Sequence, residues 1–158
     1  MKELERYTDR FSAEEDPLLK ELEHATGLSV VQPKMMSGHV QGKFLEMLTR
    51  MINPRNVLEI GTYTGYSALC FAAGAGSDAV VDTIEVEEEL YDFTASFFAR
   101  SPHGYKIRQH TGSALDIAPA LSKSFDLVFI DGDKREYPDY YRMLMGDGRW
   151  AESGALVH

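Results

Sequence analysis

The segment Val57-Leu58-Glu59-Ile60-Gly61-Thr62-Tyr63-Thr64-Gly65-Tyr66-Ser67 decides the fold of this chain. Its first four residues form a mostly apolar run bounded by a glycine, which predicts a buried strand over residues 57–60. Glycine favours the tight turn that follows, and residues 67–73 are typical of a helix. A strand, a glycine turn and a helix in this order indicate the first half of a unit with parallel strands.

The same alternation continues along the rest of the sequence. We predict strands at residues 80–85, 105–109, 125–130 and from 155 onwards, with helices at 88–100, 115–121 and 137–145. The strand at 125–130 is almost wholly apolar, which is typical of a strand covered on both faces. The expected fold class is therefore α/β, with a doubly wound, Rossmann-like parallel sheet and right-handed crossovers.

The first 53 residues show helical periodicity and no strand pattern. Asp16 and Pro17 are a typical N-cap and first helical residue, and Gly27 is a candidate stop for that helix. Ser37 is a candidate cap for a second helix, which we expect to end at Asn53 because a proline follows it. The sheet is therefore expected to follow a set of N-terminal helices.

The length of 158 residues predicts one domain. We expect a single domain over residues 1–158, made of a helical N-terminal extension (1–53) and a Rossmann-like core (54–158). The sequence stops at His158, where a central strand is expected to run toward the edge that binds ligands. A domain that ended there would expose a strand edge, so we expect a C-terminally truncated chain whose core is incomplete, with the last strands missing.

Composition excludes several classes of protein. The single cysteine, Cys70, excludes a disulfide framework and fits the reducing cytoplasm. The sequence has no apolar run near the roughly 20 residues of a membrane span. The net charge of −9 provides no electrostatic footprint for nucleic acid. We therefore expect a cytoplasmic protein without a membrane or nucleic-acid partner.

Polar or glycyl groups follow three of the predicted strands. Ligands of open α/β sheets bind beyond the carboxyl ends of the strands, and Gly61, Glu85 and Asp131 all lie at such ends. Glu85 could accept hydrogen bonds from both hydroxyls of a ribose. Asp131 with Lys134 could hold a hard divalent cation and steer a proton. The alternatives are a tight turn without a ligand at Gly61 and a loop salt bridge between Asp133 and Lys134.

The glycine turn has the spacing Gly-x-x-x-Gly and lacks the third glycine of the dinucleotide fingerprint Gly-x-Gly-x-x-Gly. This weighs against a pyrophosphate cradle and against an NAD-dependent oxidoreductase, which remains the weaker alternative. A second alternative is a cofactor-binding domain without catalysis.

Four stretches together resemble the cation-dependent O-methyltransferases that use S-adenosylmethionine, the family of the caffeoyl-CoA and catechol O-methyltransferases. They are residues 34–37, 58–67, 83–85 and 125–137, and the likeness runs from about Tyr7 to the last residue. Glu-Ile-Gly-Thr-Tyr-Thr-Gly-Tyr-Ser joined to Asp-Gly-Asp-Lys is a specific pairing, and the sequence is most similar to the bacterial members.

The resemblance implies a class I methyltransferase sheet and the residues of a site. S-adenosylmethionine and Mg²⁺, or another divalent cation, are the implied cofactors. The implied cofactor-binding residues are Met36, Glu59, Gly61, Thr62, Tyr63, Ser67, Glu85, Ser113, Ala114 and Asp131. Among these, Met36, Gly61 and Tyr63 would border the methionine part, Ser67 would bind its carboxylate, Glu85 the ribose, and Ser113 and Ala114 the adenine. The implied catalytic residues are Lys134, as general base, and Asp131, as metal ligand.

The resemblance also implies the reaction and its partners. We expect methylation of one hydroxyl of a catechol-like o-diphenol, a small phenolic substrate, with help from the divalent metal, by a homodimer. The family's remaining metal ligands are expected beyond His158. For the chain as written, an inactive fragment or a non-catalytic S-adenosylmethionine-binding domain is the alternative.

Overall fold

Three helices precede an alternating series of strands and helices in the computed structural model, which describes residues 2–30, 35–146 and 150–157. The first three helices are α1 (Lys2–Phe11), α2 (Pro17–Ser29) and α3 (His39–Ile52). The elements that follow are β1 (Asn56–Ile60), α4 (Tyr66–Gly74), β2 (Val80–Glu85), α5 (Tyr91–Arg100), β3 (Ile107–Thr111), α6 (Ala114–Ala120), β4 (Phe125–Ile130), α7 (Tyr137–Gly146) and β5 (Trp150–Val157).

The five strands form one parallel sheet in the order β3-β2-β1-β4-β5. β1 lies in the middle, with Glu59 opposite Thr83 of β2 and opposite Phe129 of β4. Successive strands extend the sheet in one direction up to β3, and β4 then returns to the other side of β1. This reversal creates a switch point between β1 and β4, where open α/β sheets bind ligands.

Helices cover both faces of the sheet. On one face, Val57 packs in a core with side chains of α2, α3, α4 and α5. On the other face, the next residue, Leu58, packs in a second core with side chains of α6 and α7. Because β1 and β4 are buried on both sides, their sequences are mostly apolar and do not alternate between apolar and polar residues. The prediction of a doubly wound, Rossmann-like α/β fold is confirmed.

Two helix boundaries in the N-terminal part are as the sequence predicts. The Asp16 carboxylate accepts a hydrogen bond from the backbone N–H of Leu18 at 2.7 Å, and Pro17 occupies the first position of α2. Asn53 ends α3 in a left-handed conformation, with φ of 51°. Its N–H donates to the carbonyl of Thr49 at 2.8 Å, which closes the last helical turn.

The two other boundaries were predicted wrongly. α2 continues through Gly27 to Ser29, because the N–H of Val30 still reaches the carbonyl of Thr26 at 3.1 Å. α3 has Gly38 as its N-cap, and Ser37 is buried instead. A residue type that favours a helix end marks the end only where the backbone hydrogen-bond ladder also stops.

The strand predictions differ from the structure mainly at β3 and β5. β2 and β4 have the predicted bounds, whereas β3 begins at Ile107 because residues 104–106 form a 3₁₀ turn. The ammonium group of Lys106 lies in the interior and donates to the carbonyls of Ala72 and Ala75, each at 2.8 Å. These contacts occupy the end of α4 and draw residue 106 out of the sheet. β5 starts at Trp150, five residues before the predicted position.

Within the described parts of the chain, no helix combines the length and the apolar character needed to cross a membrane.

Candidate functional site

A crevice of about 1110 Å³ opens at the carboxyl ends of β1, β2 and β4. Nine of the residues predicted for the site line it, namely Met36, Gly61, Thr62, Tyr63, Ser67, Glu85, Ala114, Asp131 and Lys134. Two predicted residues do not line it: Glu59 is fully buried beneath the crevice, and the exposed Ser113 precedes α6. The three strand ends singled out in the sequence therefore meet at one place.

Backbone hydrogen bonds hold these strand ends together. The N–H of Gly61 donates to the carbonyl of Ile84 at 3.0 Å, and the N–H of Asp131 donates to the carbonyl of Ile60 at 2.8 Å. Gly61 has φ of 101°, and a Cβ atom there would lie 2.5 Å from the carbonyl oxygen of Asp131. Only glycine therefore allows the end of β1 to lie this close to the end of β4.

The turn between β1 and α4 has an uncommon backbone. Tyr63 has φ of 49°, a value that few residues other than glycine adopt. Gly65 has φ of 89°, and a Cβ atom there would lie 2.5 Å from the ring of Phe98. With this course of the chain, α4 begins at Tyr66 and Ser67 falls in its first turn, against the crevice.

Three backbone N–H groups fix the carboxylate of Glu85. Oε2 accepts from the N–H of Tyr63 at 2.7 Å, and Oε1 accepts from the N–H groups of Val86 at 2.9 Å and Glu87 at 3.1 Å. A carboxylate has about four acceptor positions, so Oε2 keeps capacity for a further donor. Glu85 is half-buried and lines the crevice. Its position suits an acceptor for a ligand hydroxyl.

A chain of hydrogen bonds lies under the crevice. Glu59 accepts from the hydroxyl of Ser67 and from that of Thr83, the latter at 2.5 Å, and Thr83 contacts the hydroxyl of Thr62 at 2.5 Å. Burial raises the pKa of Glu59 to about 8, against the effect of the hydrogen bonds from Ser67 and Thr83. The negative charges of Asp131 and Glu85 raise this pKa further.

The loop after β4 carries charged groups to the rim of the crevice. Asp131 and Lys134 are exposed and line it. The neighbouring Asp133 pairs with Arg135 at 2.6 Å, and this hydrogen-bonded pair lowers the pKa of Asp133 to about 2. The sequence had left open a salt bridge between Asp133 and Lys134, but the structure pairs Asp133 with Arg135.

A metal centre is not complete among the described residues. Nowhere in these ranges do three His, Cys, Asp or Glu side chains lie in an arrangement that could hold a metal ion. Mg²⁺ requires near-octahedral oxygen coordination, to which Asp131 would supply one carboxylate. The described residues alone therefore do not fit the Mg²⁺ site that the resemblance implies.

Other residues of the crevice do fit a nucleoside that carries a carboxylate. The fixed carboxylate of Glu85 suits the hydroxyls of a ribose, and the hydroxyl of Ser67 lies in the first turn of α4, where anions are favoured. Gly112 and Ala114, after β3, line the crevice on the far side of Glu85.

Among the residues that sequence reasoning missed, two help to hold the site together. Gly112 has φ of 133°, and its N–H donates to the carbonyl of Glu85 at 2.8 Å, which joins the end of β3 to that of β2. The available signal was a glycine directly after a strand, as at Gly61. Thr83 binds Glu59 within the sheet. Its signal was a hydroxyl residue in the interior of a predicted strand, because a buried hydroxyl requires a hydrogen-bond partner.

Comparison with known sequences identifies relatives. A protein family described as O-methyltransferase matches residues 9–149. The caffeoyl-CoA O-methyltransferases of Petroselinum crispum and Pinus taeda are 33% and 35% identical over 111 residues, which is 66% of this chain. These residues are 46% and 43% of the two relatives, so the chain matches less than half of their length.

Solved structures that are similar to this chain also include methyltransferases. A methyltransferase of Podospora anserina bound to S-adenosylhomocysteine superimposes with a TM-score of 0.92 at 26% identity, over 98% of this chain and 67% of that one. An O-methyltransferase of Bacillus cereus in complex with S-adenosylhomocysteine gives 0.84 at 31% identity, over 90% and 66%. Neither comparison favours an oxidoreductase. The chain belongs to the S-adenosylmethionine-dependent O-methyltransferase family of the caffeoyl-CoA O-methyltransferases, as its motifs suggest.

Proposed function

We propose that the chain binds S-adenosylmethionine in the crevice and takes part in the transfer of its methyl group to a hydroxyl oxygen. The observation that carries this proposal is the half-buried carboxylate of Glu85, held by three backbone N–H groups beside the glycine turn. A carboxylate fixed in advance loses little freedom when it accepts hydrogen bonds from a ribose.

Each predicted site residue then has a proposed role. Glu85 accepts from the ribose hydroxyls, and Ser67 donates to the carboxylate of the methionine part. Glu59 lies beneath the crevice and orients the hydroxyl of Ser67 by a hydrogen bond, and Thr62 belongs to the same hydrogen-bond chain. Other residues border the ligand: Met36, Gly61 and Tyr63 around the methionine part, Ser113 and Ala114 around the adenine, and Asp131 near the amino group.

The residues of the chain supply position and proton transfer, whereas S-adenosylmethionine supplies an electrophilic methyl group. Lys134 lies exposed at the rim of the crevice, three residues after Asp131 in the sequence. Its Nζ atom would accept the proton of the acceptor hydroxyl as the oxygen forms a bond to the methyl carbon and the bond between that carbon and the sulfonium sulfur breaks. Alignment of the two reactants is the larger part of what such a site contributes.

The finer parts of the proposal concern the whole protein. An o-diphenol acceptor with Mg²⁺ assistance follows from the family resemblance, with Asp131 as one ligand. The same resemblance supports a homodimer and a phenolic small-molecule substrate. A single domain over residues 1–158 and a cytoplasmic location follow from its length and cysteine content. Methyl transfer to a simple catechol, measured with Mg²⁺ and with a chelator, tests the metal; equal rates in the two assays would contradict it.

Calorimetric titration with S-adenosylhomocysteine tests the cofactor site. We expect Glu85→Ala to weaken binding about ten- to a hundredfold, because a charged hydrogen-bond acceptor is worth about 1.5–3 kcal/mol. Glu88→Ala is the matched control, since Glu88 is exposed and does not line the crevice. S-adenosylhomocysteine should also raise the melting temperature, whereas NAD should not. Equal affinity in both variants would remove Glu85 from the site, and no binding by the wild type would contradict the proposed function.

A further inference from the structure

The hydrogens of the buried hydrogen-bond chain under the crevice determine what this chain can donate to a ligand. It consists of the hydroxyls of Thr62, Thr83 and Ser67 around the carboxyl group of Glu59. Glu59 and Thr83 are 0% exposed, so water does not supply further partners to them. Ser67 and Thr62 both line the crevice, and Ser67, which is 6% exposed against 2% for Thr62, is the more accessible of the two to a ligand.

The proton count decides what Ser67 offers to the crevice. When Glu59 is ionised, the hydroxyl hydrogen of Ser67 is used in the bond to Oε1 of Glu59. Ser67 then presents only lone pairs to the crevice, and these repel an anionic oxygen. When Glu59 carries a proton on Oε1, it donates to Oγ of Ser67, and the hydroxyl hydrogen of Ser67 turns toward the crevice.

The rest of the chain tolerates both arrangements. Thr83 donates to Oε2 of Glu59 in either state, and Thr62 can donate to Thr83. The only hydrogen that changes direction is therefore the one between Glu59 and Ser67. No polar side-chain atom of these four residues loses its hydrogen-bond partner when Glu59 gains the proton.

We propose that Glu59 is protonated whenever Ser67 donates to an anionic oxygen in the crevice, so that binding of a carboxylate-bearing nucleoside takes up a proton. Glu59 is a positioning residue in this scheme, because it acts on the ligand only through Ser67. The inference rests on the proposed function, in which the anionic oxygen belongs to the carboxylate of S-adenosylmethionine.

The charges around Glu59 agree with this scheme. Burial is the main cause that raises the pKa of Glu59 to about 8, and the negative charges of Asp131 at the end of β4 and Glu85 at the end of β2 raise it further. On the α4 side, the thiol of Cys70 has a pKa raised by burial, so it stays neutral. Proton uptake should therefore be small near pH 6 and approach one proton per ligand by about pH 9.

Calorimetry of S-adenosylhomocysteine binding at pH 6–9, in buffers that differ in ionisation enthalpy, measures this uptake directly. For the wild type, we expect the Kd to rise toward tenfold per pH unit above the pKa of Glu59. Glu59→Gln is the matched variant, because its amide N–H can donate to Ser67 at every pH. It should bind as the wild type does at pH 6–7 and lose the additional uptake. The amino group of the ligand titrates equally in both proteins, so the difference between them isolates Glu59.

A second variant keeps the test decisive if Glu59→Gln does not fold. Ser67→Ala keeps Glu59 but removes the hydroxyl that couples it to the ligand, so the additional uptake should vanish and binding at pH 6–7 should weaken. Proton uptake by either variant equal to that of the wild type would overturn the inference while the cofactor site stands. Absence of binding by all three proteins at pH 6–7 would instead overturn the proposed function.

Discussion

Replacement of Gly61 by alanine tests the close contact between the ends of β1 and β4. The left-handed backbone at Gly61, with φ of 101°, costs a residue with a side chain about 1–2 kcal/mol. The added Cβ would also lie 2.5 Å from the carbonyl oxygen of Asp131 and 2.9 Å from the backbone nitrogen of Gly132, so the ends of β1 and β4 must separate. Such overpacking costs about 1–3 kcal/mol. We therefore expect Gly61→Ala to lower the free energy of unfolding by about 2–5 kcal/mol.

Gly27→Ala is the matched control, because it is the same chemical change in a site without these constraints. A Cβ atom at Gly27 would have no neighbour within 4 Å, and Gly27 lies inside α2. Alanine in a helix is favoured over glycine by roughly 0.5–1 kcal/mol, so this variant should be slightly more stable than the wild type. The two substitutions are thus expected to act with opposite signs.

Urea unfolding followed by circular dichroism measures both variants, and titration with S-adenosylhomocysteine measures the effect on the site. The N–H of Gly61 bonds to β2, and the turn that it starts places the N–H of Tyr63 on Glu85. Separation of the strand ends should therefore weaken ligand binding as well. If Gly61→Ala were as stable as Gly27→Ala, the close contact between β1 and β4 would not exist as described.

Two further predictions concern buried charged groups. Lys106→Met should lower the free energy of unfolding by about 1–3 kcal/mol, because the carbonyls of Ala72 and Ala75 lose their donor. Lys20→Met is the control, because Lys20 is exposed. Equal urea midpoints for the two variants would contradict the role of Lys106 in binding the end of α4. For Glu59, the folded-state pKa near 8 lies above its ordinary value of 4.5, so its stabilising contribution is complete below pH 4.5 and is lost as the pH rises toward 8. The stability difference between the wild type and Glu59→Gln should therefore fall by roughly 1.4 kcal/mol per pH unit between pH 5.5 and 7.5, and parallel curves in urea unfolding would contradict it.

The convergence of the ends of β1, β2 and β4 could be predicted from the sequence, because it follows from the topology of the sheet. Parallel strands connected by right-handed crossovers end at one edge, so Gly61, Glu85 and Asp131 had to meet once the strands were identified. β2 and β4 were located correctly because four of the six residues of β2 are β-branched and five of the six residues of β4 are apolar, which is typical of strands. Their patterns depend on burial in the sheet and hardly on the packing of individual helices.

The partners of individual side chains could not be predicted in the same way. The contact between Ser67 and Glu59 depends on the turn of residues 61–65, whose positive φ values set the direction of α4. Lys106 looked like a strand residue, because its neighbours are typical of strands. Its place in the 3₁₀ turn depends on carbonyls more than thirty residues earlier, at the end of α4. Such distant partners leave no local pattern in the sequence.

Backbone hydrogen bonds hold the strand ends and Glu85 in place around the crevice, and this determines how its residues can be tested. The carboxylate of Glu85 is held by three N–H groups, and the ends of β1 and β4 are held by the bond from Asp131 to Ile60. A change at Gly61 or Tyr63 therefore alters stability and ligand affinity together. Ser67 and Glu85 present side-chain atoms to the crevice, where the proposed function has them bind the ligand, so their removal should reduce affinity more than stability. The ratio of the two losses distinguishes residues that bind the ligand from residues that shape the crevice.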